Sequence, residues 1–153
     1  MYKQKVVLGV APTKRSFLSM EEAKRQKDKF MARIRAIKPE AVEIIDVDEL
    51  CENGIMWDTA KIPAVVEKFP RVGIDALFLP FCDFGEEQVV AQIAGAFKVP
   101  TLVWGARDER PNSDEARGRD TQCGMFAATK VLRRYGVKYS YIWNCETESD
   151  DFA

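Results

Sequence analysis

Five short apolar runs, separated by longer stretches with helical spacing, constrain this chain more than any other feature. The runs cover residues 6–10, 42–47, 76–79, 101–104 and 139–143. The first, third and fourth barely alternate between polar and apolar residues, as strands covered on both faces should. Strand and helix in alternation imply a parallel sheet with right-handed crossovers. The expected class is therefore α/β: a three-layer domain with a five-stranded parallel sheet. The runs do not dictate the strand order, for which the flavodoxin-like (Rossmann-like) 2-1-3-4-5 is taken as the expectation. At 153 residues the chain is the size of one such domain, spanning 1–153.

The helical stretches carry their own punctuation. Ser19 and Glu22 match a capping box, and Met20, Ala23, Phe30, Met31, Ile34 and Ile37 then fall on one face until Pro39. A second helix is expected from Pro63 to about Phe69. A third should begin near Asp83, where Asp83 to Glu86 can cap, and carry Val89, Val90, Ile93 and Phe97. The fourth should run from Thr121 to Tyr135 and stop at Gly136, a residue suited to a left-handed C′ position. After the fifth run, Thr147 and Ser149 precede acids that suit a first helical turn. That ending reads either as a domain cut from a longer protein or as an acidic tail.

Composition removes several kinds of chemistry. The chain contains no histidine, which excludes Ser-His-Asp and Cys-His catalysis and histidine-bearing zinc sites within it. None of its four cysteines forms a Cys-x-x-Cys pair, so reduced thiols and a cytoplasmic location are expected. The net charge of −1 favours neither nucleic acid nor an anionic membrane, and no apolar run approaches the length of a membrane span. Residues 14–38 hold nine Lys/Arg against three Asp/Glu, which reads as a solvated helix face.

Ligands of parallel sheets meet the loops at the carboxyl ends of the strands. Here those loops are 11–18, 48–58, 80–85 and 105–120. The first is neither a Walker A loop nor a Gly-x-Gly-x-x-Gly turn. Without those glycines, Asp46 reads as a solvated strand end and not as a ribose ligand. Phe81 and Phe84 flank a candidate anion- or hydroxyl-binding turn, or pack the core. Cys82 has no accompanying base. The last loop carries four arginines and five acids above Trp104. It is either knitted by its own ion pairs or offers Arg107 and its neighbours to a ligand or subunit.

Three loop motifs resemble one family. They are Val-Ala-Pro-Thr-Lys-Arg at 10–15, Leu-Pro-Phe-Cys-Asp-Phe-Gly-Glu-Glu at 79–87 and Trp-Gly-Ala-Arg-Asp-Glu-Arg-Pro at 104–111. The chain resembles the N-terminal domain of L-fucose isomerase-like proteins, kin to the L-arabinose isomerases, across nearly its whole length and about the first third of a family chain. The resemblance implies a metal-dependent aldose–ketose isomerase whose divalent ion, usually Mn²⁺, is held by acids and histidine of later domains and not by this chain. It also implies homo-oligomers in which this domain closes over a neighbour's sugar pocket, and a fragment inactive alone. Arg15 stands where the family places a substrate-contacting arginine, and Phe81, Cys82 or Phe84 replaces a covering tryptophan. The expected substrate-binding residues are Arg15, Phe81, Phe84, Trp104 and Arg107, at one edge of the sheet. No catalytic residue and no metal ligand is expected here. If the edge serves a neighbour, Arg15 and Arg107 should be partly exposed with few partners of their own. The competing readings are a stand-alone small-molecule-binding domain of flavodoxin-like shape and a purely structural oligomerisation module.

Overall fold

The computed structural model describes residues 5–110 and 118–152. Strands β1 (Val6–Val10), β2 (Val42–Ile45), β3 (Ala76–Phe81), β4 (Thr101–Gly105) and β5 (Ser140–Ile142) form one parallel sheet. Their order is β2-β1-β3-β4-β5, the expected one. Helices α1 (Met20–Ala36), α2 (Ile62–Val72), α3 (Glu87–Ala96) and α4 (Thr121–Arg134) make the crossovers.

The period of two along each strand divides the core into two layers. Val7, Leu77, Leu79, Phe81 and Val103 point toward α2, α3 and α4, where Val65, Phe69, Val90, Ile93, Met125 and Leu132 meet them. Leu8, Val10, Phe78, Leu102 and Trp104 point the other way, toward Ala23, Phe30, Met31 and Ile34 of α1. Three helices thus cover one face and a single helix covers the other. Beside α1 an apolar groove of about 450 Å³ stays open, bounded by Phe78, Leu102, Ile142 and Phe152 among others.

Local chemistry explains the helix ends. Ser19 accepts from the Glu22 amide at 3.2 Å, which is half of the expected capping box. The Glu22 carboxylate turns instead to Arg25 at 2.8 Å and Gln26 at 2.7 Å. α2 runs through Pro70, three residues further than expected, and ends at left-handed Gly73. Gly136 is likewise left-handed after α4, as expected. The basic face of α1 is not wholly solvated: Lys27 is buried, with its ammonium on Asp48 and on the Asn53 carbonyl.

The chain after β5 forms a short 3-10 turn, Asp150–Phe152, in which Ser149 accepts from the Asp151 amide. Phe152 is buried against Trp104, ring centres 4.5 Å apart. Among the described residues, no helix is long and apolar enough to cross a membrane.

Candidate functional site at the carboxyl edge of the sheet

β1 does not stop cleanly at its carboxyl end. Thr13 continues the extended chain, bridging Met56 on one side and Phe81 on the other. Its amide donates to the Pro80 carbonyl at 2.9 Å, and its own carbonyl accepts from Cys82 at 2.9 Å. The following loop is fastened from beneath. Lys14 is buried, and its ammonium donates to the carbonyls of Arg15 at 2.6 Å and Ser16 at 3.3 Å. A buried cation that meets two loop carbonyls fixes the path of residues 15–17, because leaving it unpaired would be costly. Phe17 is thereby held out into solvent, 82% exposed.

The loop after β3 is tied to the first by Asp83. This carboxylate, only 1% exposed, accepts from the amides of Arg15 at 2.7 Å and Gly85 at 2.9 Å. It therefore does not cap α3, which begins at Glu87 with no side-chain cap. Its second oxygen is enclosed and has no partner among the described residues. Burial holds the Asp83 carboxyl above its ordinary value, against the pull of those two amides and of Lys14 and Arg15. Gly85 is left-handed, and a Cβ there would stand 2.9 Å from Thr13 Cγ2. Thr13 Oγ1 in turn accepts from the Glu86 amide at 3.0 Å.

Arg15 lies across this platform. Its guanidinium pairs with Glu86 at 2.9 Å and Glu87 at 2.8 Å, and sits 4.5 Å from the centre of the Phe84 ring. Its side chain is 17% exposed. With Phe17, Leu18, Phe84, Arg119 and Asp120 it bounds a hollow of about 270 Å³.

Arg119 forms the wall between this hollow and a second one of about 220 Å³, which Arg107 also lines. Buried Arg119 donates to Gln26 at 3.0 Å, to the Arg107 carbonyl at 3.1 Å and to Glu109 at 3.3 Å. Arg107 is half exposed and binds the Asn144 carbonyl at 2.9 Å and Glu146 at 3.2 Å. α4 receives its cap from across the loop. Asp108 accepts from the amides of Asp120, Thr121 and Gln122 at 3.2, 2.8 and 3.1 Å. That carboxylate satisfies the first-turn donors of α4 from twelve residues or more away.

The five expected site residues all lie at this edge, but they do not all face out. Arg15 and Phe84 share the first hollow, and Arg107 borders the second. Phe81 and Trp104 are corrections: both are buried, at 1% and 0% exposure. As the ends of fully covered strands, they follow the alternation inward. Phe81 enters the layer of α2 to α4, and Trp104 packs edge-on to Phe30 at 5.7 Å. A second correction concerns the arginines. Arg15 and Arg107 are partly exposed as expected, yet both are well partnered within the chain. Cys82 is buried; burial pushes its thiol well above the ordinary value and Asp83 adds to this, the opposite of an activated thiolate. Residues 111–117 of the long loop lie outside the described residues.

Phe17 and Arg119 were not singled out from the sequence. The signal for Phe17 was an aromatic in a polar loop directly after a strand, a position that favours display over packing. Arg119 carried no signal that set it apart from the three other arginines of its loop.

A divalent ion does not fit the described residues. Among them no three or more His, Cys, Asp or Glu side chains come together so as to hold one. One oxygen of Asp83 is already taken up by the Arg15 and Gly85 amides, and a single carboxylate does not make a divalent site.

No curated protein matches the chain. Among solved structures it is similar to an azoreductase from Bacillus anthracis str. Sterne, at 12% identity over 90% of this chain and 85% of that one, TM-score 0.42. It is also similar to an ABC transporter solute binding protein from Bacillus halodurans C-125 with bound myo-inositol, at 13% identity over 94% and 57%, TM-score 0.41. Likeness at that level carries no argument about function. The loops that build the edge fall within residues 9–153, which match the family model described as fucose/sulfoquinovose isomerase, N-terminal domain, and the chain belongs to that family.

Proposed function

We propose that this domain closes over the sugar pocket of a neighbouring subunit in a metal-dependent aldose–ketose isomerase, and that catalysis resides in later domains of a longer chain. The observation that carries this reading is the first hollow. Two aromatic rings, Phe17 and Phe84, and two guanidiniums, Arg15 and Arg119, stand together; Lys14 and Asp83 lock the loops of Arg15, Phe17 and Phe84 from beneath, and Gln26 and the Arg107 carbonyl hold Arg119. A rigid display of rings and planar donors suits a hydroxylated ligand, since rings meet its C–H faces and guanidiniums meet its oxygens. Phe84 takes the covering role, because Phe81 and Cys82 are buried.

In such an isomerase a proton moves between C1 and C2 of the open-chain sugar, and a divalent ion held by the other domains would supply Lewis-acid chemistry there. This chain's part is to exclude water and to orient the sugar. Arg107 borders the adjacent hollow and extends the same edge.

Oligomerisation is supported by a different flank. Phe126 of α4 is 63% exposed and stacks edge-on to Trp143 at 4.8 Å, beside exposed Tyr141 on the outermost strand. Exposed aromatic clusters of this kind mark contact surfaces. The test of the capping role is Arg15→Ala in the whole isomerase. Sugar binding should weaken by about 1–3 kcal/mol while Mn²⁺ affinity stays the same. Unchanged sugar binding would contradict the reading.

A further inference from the structure

The outer flank of α4 and β5 carries two rows of side chains. Tyr139, Tyr141 and Trp143 fall at alternate positions along and beside the outermost strand, so they share one side of it. Phe126, Lys130, Arg133 and Arg134 of α4 line the same groove, which holds about 760 Å³. The aromatic row alone would suit contacts of many kinds, and the cations narrow the choice.

Their charge is unanswered. Residues 121–145 contain Lys130, Arg133, Arg134 and Lys138 and no Asp or Glu. Among the described residues none of these four makes an ion pair, whereas cations elsewhere, such as Lys24, Arg25, Arg35 and Arg71, do. The elements around α4 do not supply the missing carboxylates. β4 has no charged residue. Glu86 and Glu87, at the start of α3, are held by Arg15, and Lys98 just past the end of α3 is one more cation. Asp108 caps the first turn of α4, Glu109 pairs with Arg119, and Asp120 borders the first hollow, about 20 Å along the helix from Arg134. Glu146, beyond Trp143, pairs with Arg107. Arg133 and Arg134 do stand in the last turn of α4, but its carbonyl ends carry only about half an elementary negative charge.

A second copy presenting the same flank would set these cations against their own counterparts, with no carboxylate between them. Like charges facing each other cost affinity. A patch of aromatic rings rimmed by arginine and lysine is complementary to apolar side chains rimmed by carboxylates.

We infer that the α4–β5 flank is a docking surface for a carboxylate-rich segment of a neighbouring subunit. That segment seats an apolar side chain among Phe126, Tyr141 and Trp143, and its acids meet Lys130, Arg133 and Arg134. Two copies of the flank do not meet each other. The inference rests on the assembly role proposed above for this flank and names the chemistry of its partner.

The test is sedimentation of the metal-loaded whole isomerase at about 0.05 M and about 0.5 M KCl. Lys130→Gln, Arg133→Gln and Arg134→Gln together should weaken the assembly at least about tenfold at low salt, and the variant should lose less on adding salt than the parent does. A flank-to-flank contact predicts the opposite sign, because removing repelling cations would tighten it. Phe126→Ala with Trp143→Ala is the control, since it removes apolar contact whatever the occupant, and it should weaken the assembly too. If the control weakens the assembly but the neutralised variant is as tight as the parent or tighter, the inference is overturned and the assembly role stands. Loss of the assembly on nuclease treatment would put the phosphates of a nucleic acid in place of the carboxylates and would also overturn it. If neither variant changes sedimentation, the assembly role of the flank falls and takes the inference with it.

Discussion

Gly124 of α4 packs directly beneath the backbone of Phe84: a Cβ at Gly124 would stand 2.8 Å from Phe84 Cα and still closer to its carbonyl. The helix that leaves β4 thus sets the height of the loop that leaves β3. Phe84 can lie under the Arg15 guanidinium only because α4 offers no side chain at that point.

Gly124→Ala should therefore cost stability and move the loop. Backbone on both sides leaves little room to relax, and overpacking of this kind costs about 1–3 kcal/mol. Chemical denaturation measures the loss. A neutral result would show that the two elements are not in tight contact.

Asp108→Ala should destabilise the domain by about 1–2 kcal/mol, because three amides at the start of α4 lose their acceptor. Asp108→Asn, which keeps one acceptor oxygen, should lose less. Equal losses for the two variants would argue against the cap.

The buried carboxyl of Asp83 gives a pH signature. Its folded value lies above its ordinary one because burial disfavours the charge. The folded state therefore holds the proton more tightly than the unfolded state. The associated stability is fully present below the unfolded value of about 3.9 and is lost as pH rises through the folded value. Asp83→Asn keeps an oxygen for the Arg15 and Gly85 amides and cannot ionise. Over the window in which that stability is lost, as pH rises above the unfolded value, the denaturation midpoint of Asp83→Asn should rise relative to that of the parent. A constant difference across that window would mean that Asp83 is not the titrating group.

Phe126→Asp should shift the assembled isomerase toward smaller species in sedimentation, since it places a carboxylate in the aromatic contact with Trp143. An unchanged sedimentation profile would remove the α4–β5 flank from the interface.

Much of the fold was legible because it depends on local rules. Unalternating apolar runs implied covered strands, and Ser19 and Gly136 marked helix ends; the strand order, although it matches the expected one, depends on which strands meet across the sheet and not on any local signal. The site was less legible because its parts depend on distant partners. Phe81 and Trp104 sit at strand ends, where the sequence does not show which way a side chain points; the pleat sends both inward. Asp83 resembled a helix cap and instead joins two loops across 68 residues of sequence. Asp108 caps a helix that begins beyond a long loop. Lys14 resembled one more surface cation until its burial showed it to be the pin beneath Phe17.

The central claim is that each sugar pocket draws on two chains, and subunit mixing tests it most directly. Arg15→Ala isomerase is mixed with a variant whose metal ligands in the later domains are disabled, under conditions where subunit exchange is verified by mass. If the domain caps a neighbour's pocket, some hybrid sites pair an intact edge with an intact metal centre, and isomerase activity should reappear in the mixture although each parent is impaired. Activity no higher than the sum of the two parents, despite proven exchange, would show that each pocket is built within one chain and would contradict the account.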